Sequence, residues 1–209
     1  METAVADDPT TVDALLARIA SPGVLAGGGA AAALTAAAAA ALVSMVAAVA
    51  ARHASDRARP TGIAADAEGL RRRLADLIGL DVLAYGRVLQ ARREASDPAA
   101  LRDALVGATA IPLELATTCV TILEQCVEVL ALARPSTVAD VGVAGVLAAA
   151  ALEGAAITAR ANLDGLDDPA FVAETRRTLD DLRRRGGRLR ARLAHTFPDT
   201  ATGADAPSR

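Results

Sequence analysis

Apolar residues recur at helical spacing along nearly the whole chain. No segment alternates in the two-residue rhythm of a half-buried strand. Thr10 with Asp13 has the form of a capping box, which predicts a short helix running to about Ala20. Ser21-Pro22-Gly23 then breaks it. A second helix, almost pure alanine, runs from about Gly28 to His53. A turn at Arg57–Thr61, containing Pro60, leads into a third helix from Ile63 to Glu94, in which Leu70, Leu74, Leu77, Ile78 and Asp81 recur at helical spacing. Asp97-Pro98 pairs an N-cap with proline at the first helical position and opens a helix to about Ala133. Pro112 lies inside that helix, removes one backbone N–H and predicts a kink near Ala108. Pro135-Ser136 starts a fifth helix to about Leu163, and Asp168-Pro169 repeats the cap for a last helix to about His195. The pattern predicts an all-α, single-domain bundle of about six mostly long helices. It spans residues 10–197, between disordered termini at 1–9 and 198–209.

Composition changes this picture in one respect. Apolar residues make up 53% of the 209, yet aromatics are only 1%, so the core is built mainly from alanine. Small side chains let helices approach closely but bury little area each, at about 25 cal/mol per Å². Such a bundle gains from a second subunit, and a homodimer is expected.

Charge and cysteine usage narrow the function classes. The net charge is −3, all the basic residues are arginine, and the scarcity of aromatics leaves no stacking platform, so no nucleic-acid partner is expected. The groups Arg71–Arg73 and Arg183–Arg192 read as solvated helix faces or, alternatively, as holds for an anionic tail. Cys119 and Cys126 lie two helical turns apart, roughly 10 Å, too far for a mutual disulfide. They read as packing residues in a reducing cytoplasm. Residues 23–51 carry no charge and are long enough to span a bilayer, but alanine and glycine insert weakly and no aromatic belt flanks them. A buried helix is the expected reading, with no membrane partner. His53 and His195 are isolated, and no ligand cluster at metal spacing exists, so no metal is expected.

The candidate chemistry is carried by glycines and acids. Gly27, Gly28 and Gly29 let the backbone approach a ligand, and a helix starting there aims its free N–H groups forward. The stretch is neither a P-loop nor a dinucleotide fingerprint, because no Gly-Lys-Ser/Thr follows and no strand precedes it. Asp140 sits among small apolar residues from Val138 to Ala144. It either faces a cleft, where burial suits it for proton transfer, or occupies a first helical turn and favours the dipole. Asp81 and Tyr85 share a helix face, either as an acid beside a ring for a heteroaromatic ligand or as an exposed acid over a core tyrosine. Glu114, just past Pro112, and Arg160 with Asn162, after an apolar run, are weaker candidates.

These pieces stand in a recognisable order. The glycine turn is followed by Ala41-Leu42-Val43-Ser44-Met45-Val46, then Asp81 to Tyr85, then Ala91-Arg92-Arg93. Next come Ala108 to Glu114, Asp140 to Ala144, Leu152 to Ala156, and finally Arg160 and Asn162. The chain resembles the formiminotransferase-cyclodeaminase C-terminal family, which includes stand-alone methenyltetrahydrofolate cyclohydrolases. The resemblance runs from about Thr11 to Phe197. It implies a helical bundle, a homodimeric building block and a folate site near the glycine turn, with a tetrahydrofolate derivative as substrate and no bound cofactor. On that basis Asp140 and Asp81 are the candidate catalytic acids, and Gly27, Gly28, Gly29, Tyr85, Glu114 and Arg160 the candidate substrate-binding residues. The implied activity is methenyltetrahydrofolate cyclohydrolase-like hydrolysis, or formimidoyltetrahydrofolate cyclodeamination. The departures are Ala26, Ala30, Ala139 and Thr158, where the family pattern has Pro, Ser, Ser and Asn, with Ala133-Arg134 in place of a Gly-Asn pair and Arg52 or His53 in place of a Lys. They open a second reading: a bundle that binds a small molecule or partner without turnover, or one repurposed for another reaction.

Overall fold

The computed structural model describes residues 11–22, 26–94 and 97–197, so both predicted disordered termini lie outside the described residues. The described chain is all-helical: α1 (Val12–Ala20), α2 (Gly28–His53), α3 (Ala58–Arg93), α4 (Pro98–Leu130), α5 (Val138–Leu163) and α6 (Pro169–Ala194), with one 3-10 turn at Pro135–Thr137 before α5. Helices α2 to α5 form a square in which each packs against its neighbours in the chain and α5 returns to α2. Helix α6 lies across α4 and α5. Helices α2 and α5 run antiparallel, since Gly28 faces Thr158 and, one turn further along α2, Gly154 faces Ala32.

The buried positions of α2 are alanine or glycine except for Val43 and Val46. That allows α3 and α5 to close on it along its whole length. Bulk comes from the other helices: Leu74 and Leu77 of α3, Leu115, Ile122 and Leu123 of α4, and Leu179 of α6 are fully enclosed. Cys119 and Cys126 are free and buried in α4. Burial pushes both thiols up to about 12, which leaves them as inert packing groups at neutral pH.

Local signals set most helix ends. Asp97 accepts from the Ala99 and Ala100 N–H groups, and Asp168 from that of Phe171. The first cap is Thr11, whose Oγ1 accepts from the Ala14 N–H, while Thr10 of the predicted capping box lies outside the described residues. Helix α3 begins at Ala58, five residues before the expected Ile63, and includes Pro60. In a first turn the missing proline N–H has no intrahelical partner to lose, and Asp56 holds the Ala58 N–H. Helix α4 ends at Leu130 rather than Ala133 and runs unbroken past Pro112. Gly165 takes the left-handed conformation (φ 93°) that turns the chain from α5 into α6.

By length and composition, three helical segments are apolar enough to cross a membrane, not the alanine helix alone: α2, α4 and Pro135–Leu163. All three belong to the central square.

Candidate functional site

Helix α3 buries one row of side chains against the bundle: Ile63, Ala67, Leu74, Leu77 and Val88, spaced by four, seven, three and eleven. Asp81 falls in that row, where an aliphatic residue would ordinarily sit, and is half-buried. Room for its carboxylate comes from Gly29 on α2. A Cβ added there would lie 2.5 Å from Asp81 Oδ2 and closer still to Oδ1. Gly27, the N-cap of α2, has no side chain to satisfy the first-turn N–H groups, and the Asp81 carboxylate reaches across from α3 to bond the Ala30 N–H. Desolvation raises the Asp81 carboxyl above the ordinary 3.8, and the Ala30 N–H pulls it down by less. Asp81 therefore holds a proton more readily than a surface aspartate while remaining aimed at a fixed donor.

In front of this carboxylate lies a cavity of about 400 Å³, within the range of small-molecule sites. Gly27, Gly28 and Gly29 form its floor, Tyr85 stands one turn from Asp81 at its rim, and α5 closes the far side with Thr158 and Asn162. Pro112 shapes it indirectly. Without a proline N–H, the Ala108 carbonyl loses its helical partner, and Asn162 Nδ2 donates to it at 2.9 Å. Asn162 is thereby fixed at the cavity wall. The Thr158 hydroxyl donates to its own helix at the Gly154 carbonyl, 3.0 Å away.

Of the residues expected from sequence, Gly27, Gly28, Gly29, Asp81 and Tyr85 come together here. Glu114 and Arg160 do not line the cavity. Glu114 is held at the surface by Arg73 (2.6 and 2.9 Å), and Arg160 pairs with Asp180 of α6 (2.6 Å). Asp140 lies in the first turn of α5, about 27 Å along that helix from Thr158. It does not line the cavity, is half-buried, and none of the described residues bonds or pairs with it. Several arginines of the two basic groups are tied to acids: Arg71 and Arg72 to Glu68, Arg183 to Glu153, Arg185 to Glu124. Thr158 was legible only as a departure from the family pattern, and Asn162 only as a polar residue after an apolar run. What marks both as wall residues is their facing partner on another helix. Among the described residues no three His, Cys, Asp or Glu side chains cluster as metal ligands would.

The fold and cavity define an all-helical bundle with one desolvated acid clamped to a glycine-opened helix. Comparison with known proteins identifies which bundle. The formiminotransferase-cyclodeaminase family model matches residues 11–181, and the chain belongs to that family. It is 33% identical over 137 residues to a methenyltetrahydrofolate cyclohydrolase of Methylorubrum extorquens, a match spanning 62% of this chain and 66% of that relative, just under two thirds. Its fold matches the crystal structure of formiminotetrahydrofolate cyclodeaminase from Thermotoga maritima with a TM-score of 0.85 at 20% identity, covering 92% of this chain and 98% of the other.

Proposed function

We propose that this protein is a cytoplasmic enzyme of folate one-carbon chemistry that hydrolyses 5,10-methenyltetrahydrofolate to the 10-formyl form. The observation that carries this reading is the desolvated Asp81 carboxylate beside the Gly27–Gly29 turn in a cavity of about 400 Å³. The named cyclohydrolase relative supports the choice of substrate.

Water adds to the electrophilic methenyl carbon and gives a protonated tetrahedral adduct. Asp81 takes the proton from the added oxygen and passes it to solvent. The neutral adduct then collapses: its O–H proton moves through Asp81 to N5, the C–N5 bond breaks, and the formyl group remains on N10. One proton is released per turnover. A carboxyl raised by desolvation is suited to both transfers, because it gains and loses a proton closer to working pH than a surface acid does. The exposed Tyr85 ring offers a flat edge for the pterin, and bare glycine backbone permits close approach. The same groups would serve cyclodeamination of a formimino substrate.

A specific observation favours a second reading, binding without turnover. Thr158 and Asn162 spend donors inside the protein, and Ala26 and Ala30 add no hydrogen-bonding side chain. A cavity with few free polar groups holds a polar pterin weakly. The two separate in one assay, the loss of near-ultraviolet absorbance of 5,10-methenyltetrahydrofolate against the buffer rate. Enzymatic acceleration that falls about 10²- to 10⁴-fold in Asp81→Asn supports hydrolysis. Calorimetric binding without acceleration would leave a binding module.

A further inference from the structure

The wall that α5 gives the glycine-turn cavity carries two polar residues, Thr158 and Asn162, one helical turn apart. Each has committed a donor inside the protein. The Thr158 hydroxyl donates its single proton to the Gly154 carbonyl at 3.0 Å, and Asn162 Nδ2 donates to the Ala108 carbonyl at 2.9 Å. A carbonyl can only accept, and Pro112 has no N–H to offer it, so the nitrogen end of the amide stays turned to α4. Rotating the amide by half a turn would set Oδ1 against the Ala108 oxygen, two acceptors face to face. Oδ1 therefore points away from that carbonyl. None of the described residues donates to it, and unlike Gln125 Oε1 it is not sealed from solvent. Thr158 Oγ1 and Asn162 Oδ1 thus meet a ligand as two acceptors in a row.

We propose that Asn162, locked in this orientation by the proline gap in α4, reads the 2-amino group of a pterin ring through Oδ1. The inference rests on the folate reading of the cavity and adds which edge of the ring the site selects and which residue selects it. Two features of the structure carry it. The first is chemical: a row of two acceptors calls for two neighbouring N–H donors, and the N3–H and 2-amino groups of a 2-amino-4-oxo ring are such a pair. The second is placement. Gly28 faces Thr158 and Ala32 faces Gly154, so Asn162, four residues past Thr158, lies beyond the start of α2. Asp81 is seated against Gly29 and Ala30. The two are therefore about 8 Å apart along the bundle, a span that a fused two-ring heterocycle fills. With the methenyl carbon at Asp81, the opposite end of the ring, which carries the 2-amino group, reaches Asn162, and N3–H falls to Thr158 between them. Asn162 is thus a specificity-determining residue. Pro112, which does not line the cavity, is a positioning residue that acts through it.

Calorimetry of the full chain with two probes tests this: tetrahydrofolate, and its analogue carrying a methyl group in place of the 2-amino group. The methyl group matches the amino group in size and lacks its donors. The wild type should bind tetrahydrofolate about 10- to 100-fold more tightly, because the analogue leaves Oδ1 without a partner. Pro112→Ala returns an N–H to the Ala108 carbonyl and releases the amide, so the preference should fall several-fold. In Asn162→Leu/Pro112→Ala, checked as folded by circular dichroism, it should vanish. A merely structural Asn162 would weaken both probes alike and leave their ratio unchanged. A wild type that binds the two probes equally overturns the proposal, as does a folded double variant that keeps the preference. A Pro112→Ala that keeps it in full overturns the locking by the proline gap. The wild-type ratio and Pro112→Ala leave Asn162 in place, so they decide the matter even where the double variant does not fold. A wild type that binds neither probe removes the folate reading, and this inference with it.

Discussion

Asp81 lies in the middle of α3, in the row that packs on α2, while Asp140 lies in the first turn of α5, beside an exposed row that includes Val143 and Val146. Both have aliphatic neighbours in sequence and both are half-buried. The difference is in what the facing helix contributes. Opposite Asp81, α2 supplies a missing side chain at Gly29 and a free N–H at Ala30, so the carboxylate is seated and desolvated together. Opposite Asp140 none of the described residues supplies a bond. An acid among apolar residues thus becomes a seated group only where another helix makes both space and a donor for it.

The sharpest way to break that account is to fill the space. Gly29→Ala in an ordinary helix interior would stabilise by about 0.5–1 kcal/mol. Here the added methyl meets a carboxylate that must move, and the expected outcome is the opposite sign, a loss of about 1–3 kcal/mol by urea denaturation. In the Asp81→Ala background the obstacle is gone, and Gly29→Ala should become neutral or stabilising. A coupling near zero between the two positions would mean that Asp81 does not occupy the gap.

The next effect concerns the cavity wall. Asn162→Ala leaves the Ala108 carbonyl without its donor and should cost about 1–2 kcal/mol, read from the same denaturation curves. Pro112→Ala returns an N–H to α4, so Asn162→Ala should cost much less in that background. Equal costs in both backgrounds would show that Asn162 is held by something other than the proline gap.

How much of this was legible beforehand follows from how local each signal is. Asp97-Pro98 and Asp168-Pro169 write the starts of α4 and α6 within two residues, because a cap acts on its own first turn. Pro60 misled for the same local reason: read alone it breaks a helix, whereas Asp56 makes it part of a first turn. In the cavity, the acid in an apolar row and the three glycines were each visible, and the vacancy left by Pro112 was visible at Ala108. The partners were not, because Gly29 with Asp81 and Ala108 with Asn162 meet only once the helices pack. Glu114 and Arg160 looked alike as polar residues near the right segments. Their ion pairs to Arg73 and Asp180 are tertiary facts that no spacing encodes. The separation of Asp140 from the glycine turn is likewise a property of α5 running its full length between them.

The smallest expected effect is the pH dependence that Asp81 adds to stability, and its sign is diagnostic. The folded-state carboxyl lies above its unfolded value, so between the two the native protein binds more protons than the unfolded chain. Stability from this group is full below the ordinary carboxylate value and declines as pH rises through the raised one. Glu68, which its hydrogen bonds from Arg71 and Arg72 hold near 2, works the other way, and its contribution is lost as pH falls toward that value. Both proteins keep Glu68, so subtracting the Asp81→Asn curve from the wild-type curve isolates Asp81. Urea midpoints from about pH 4 to 7 should show the wild type losing stability relative to Asp81→Asn as pH rises. A difference that grows in favour of the wild type would mean that the Ala30 N–H outweighs desolvation, making Asp81 a helix cap first and a proton carrier second.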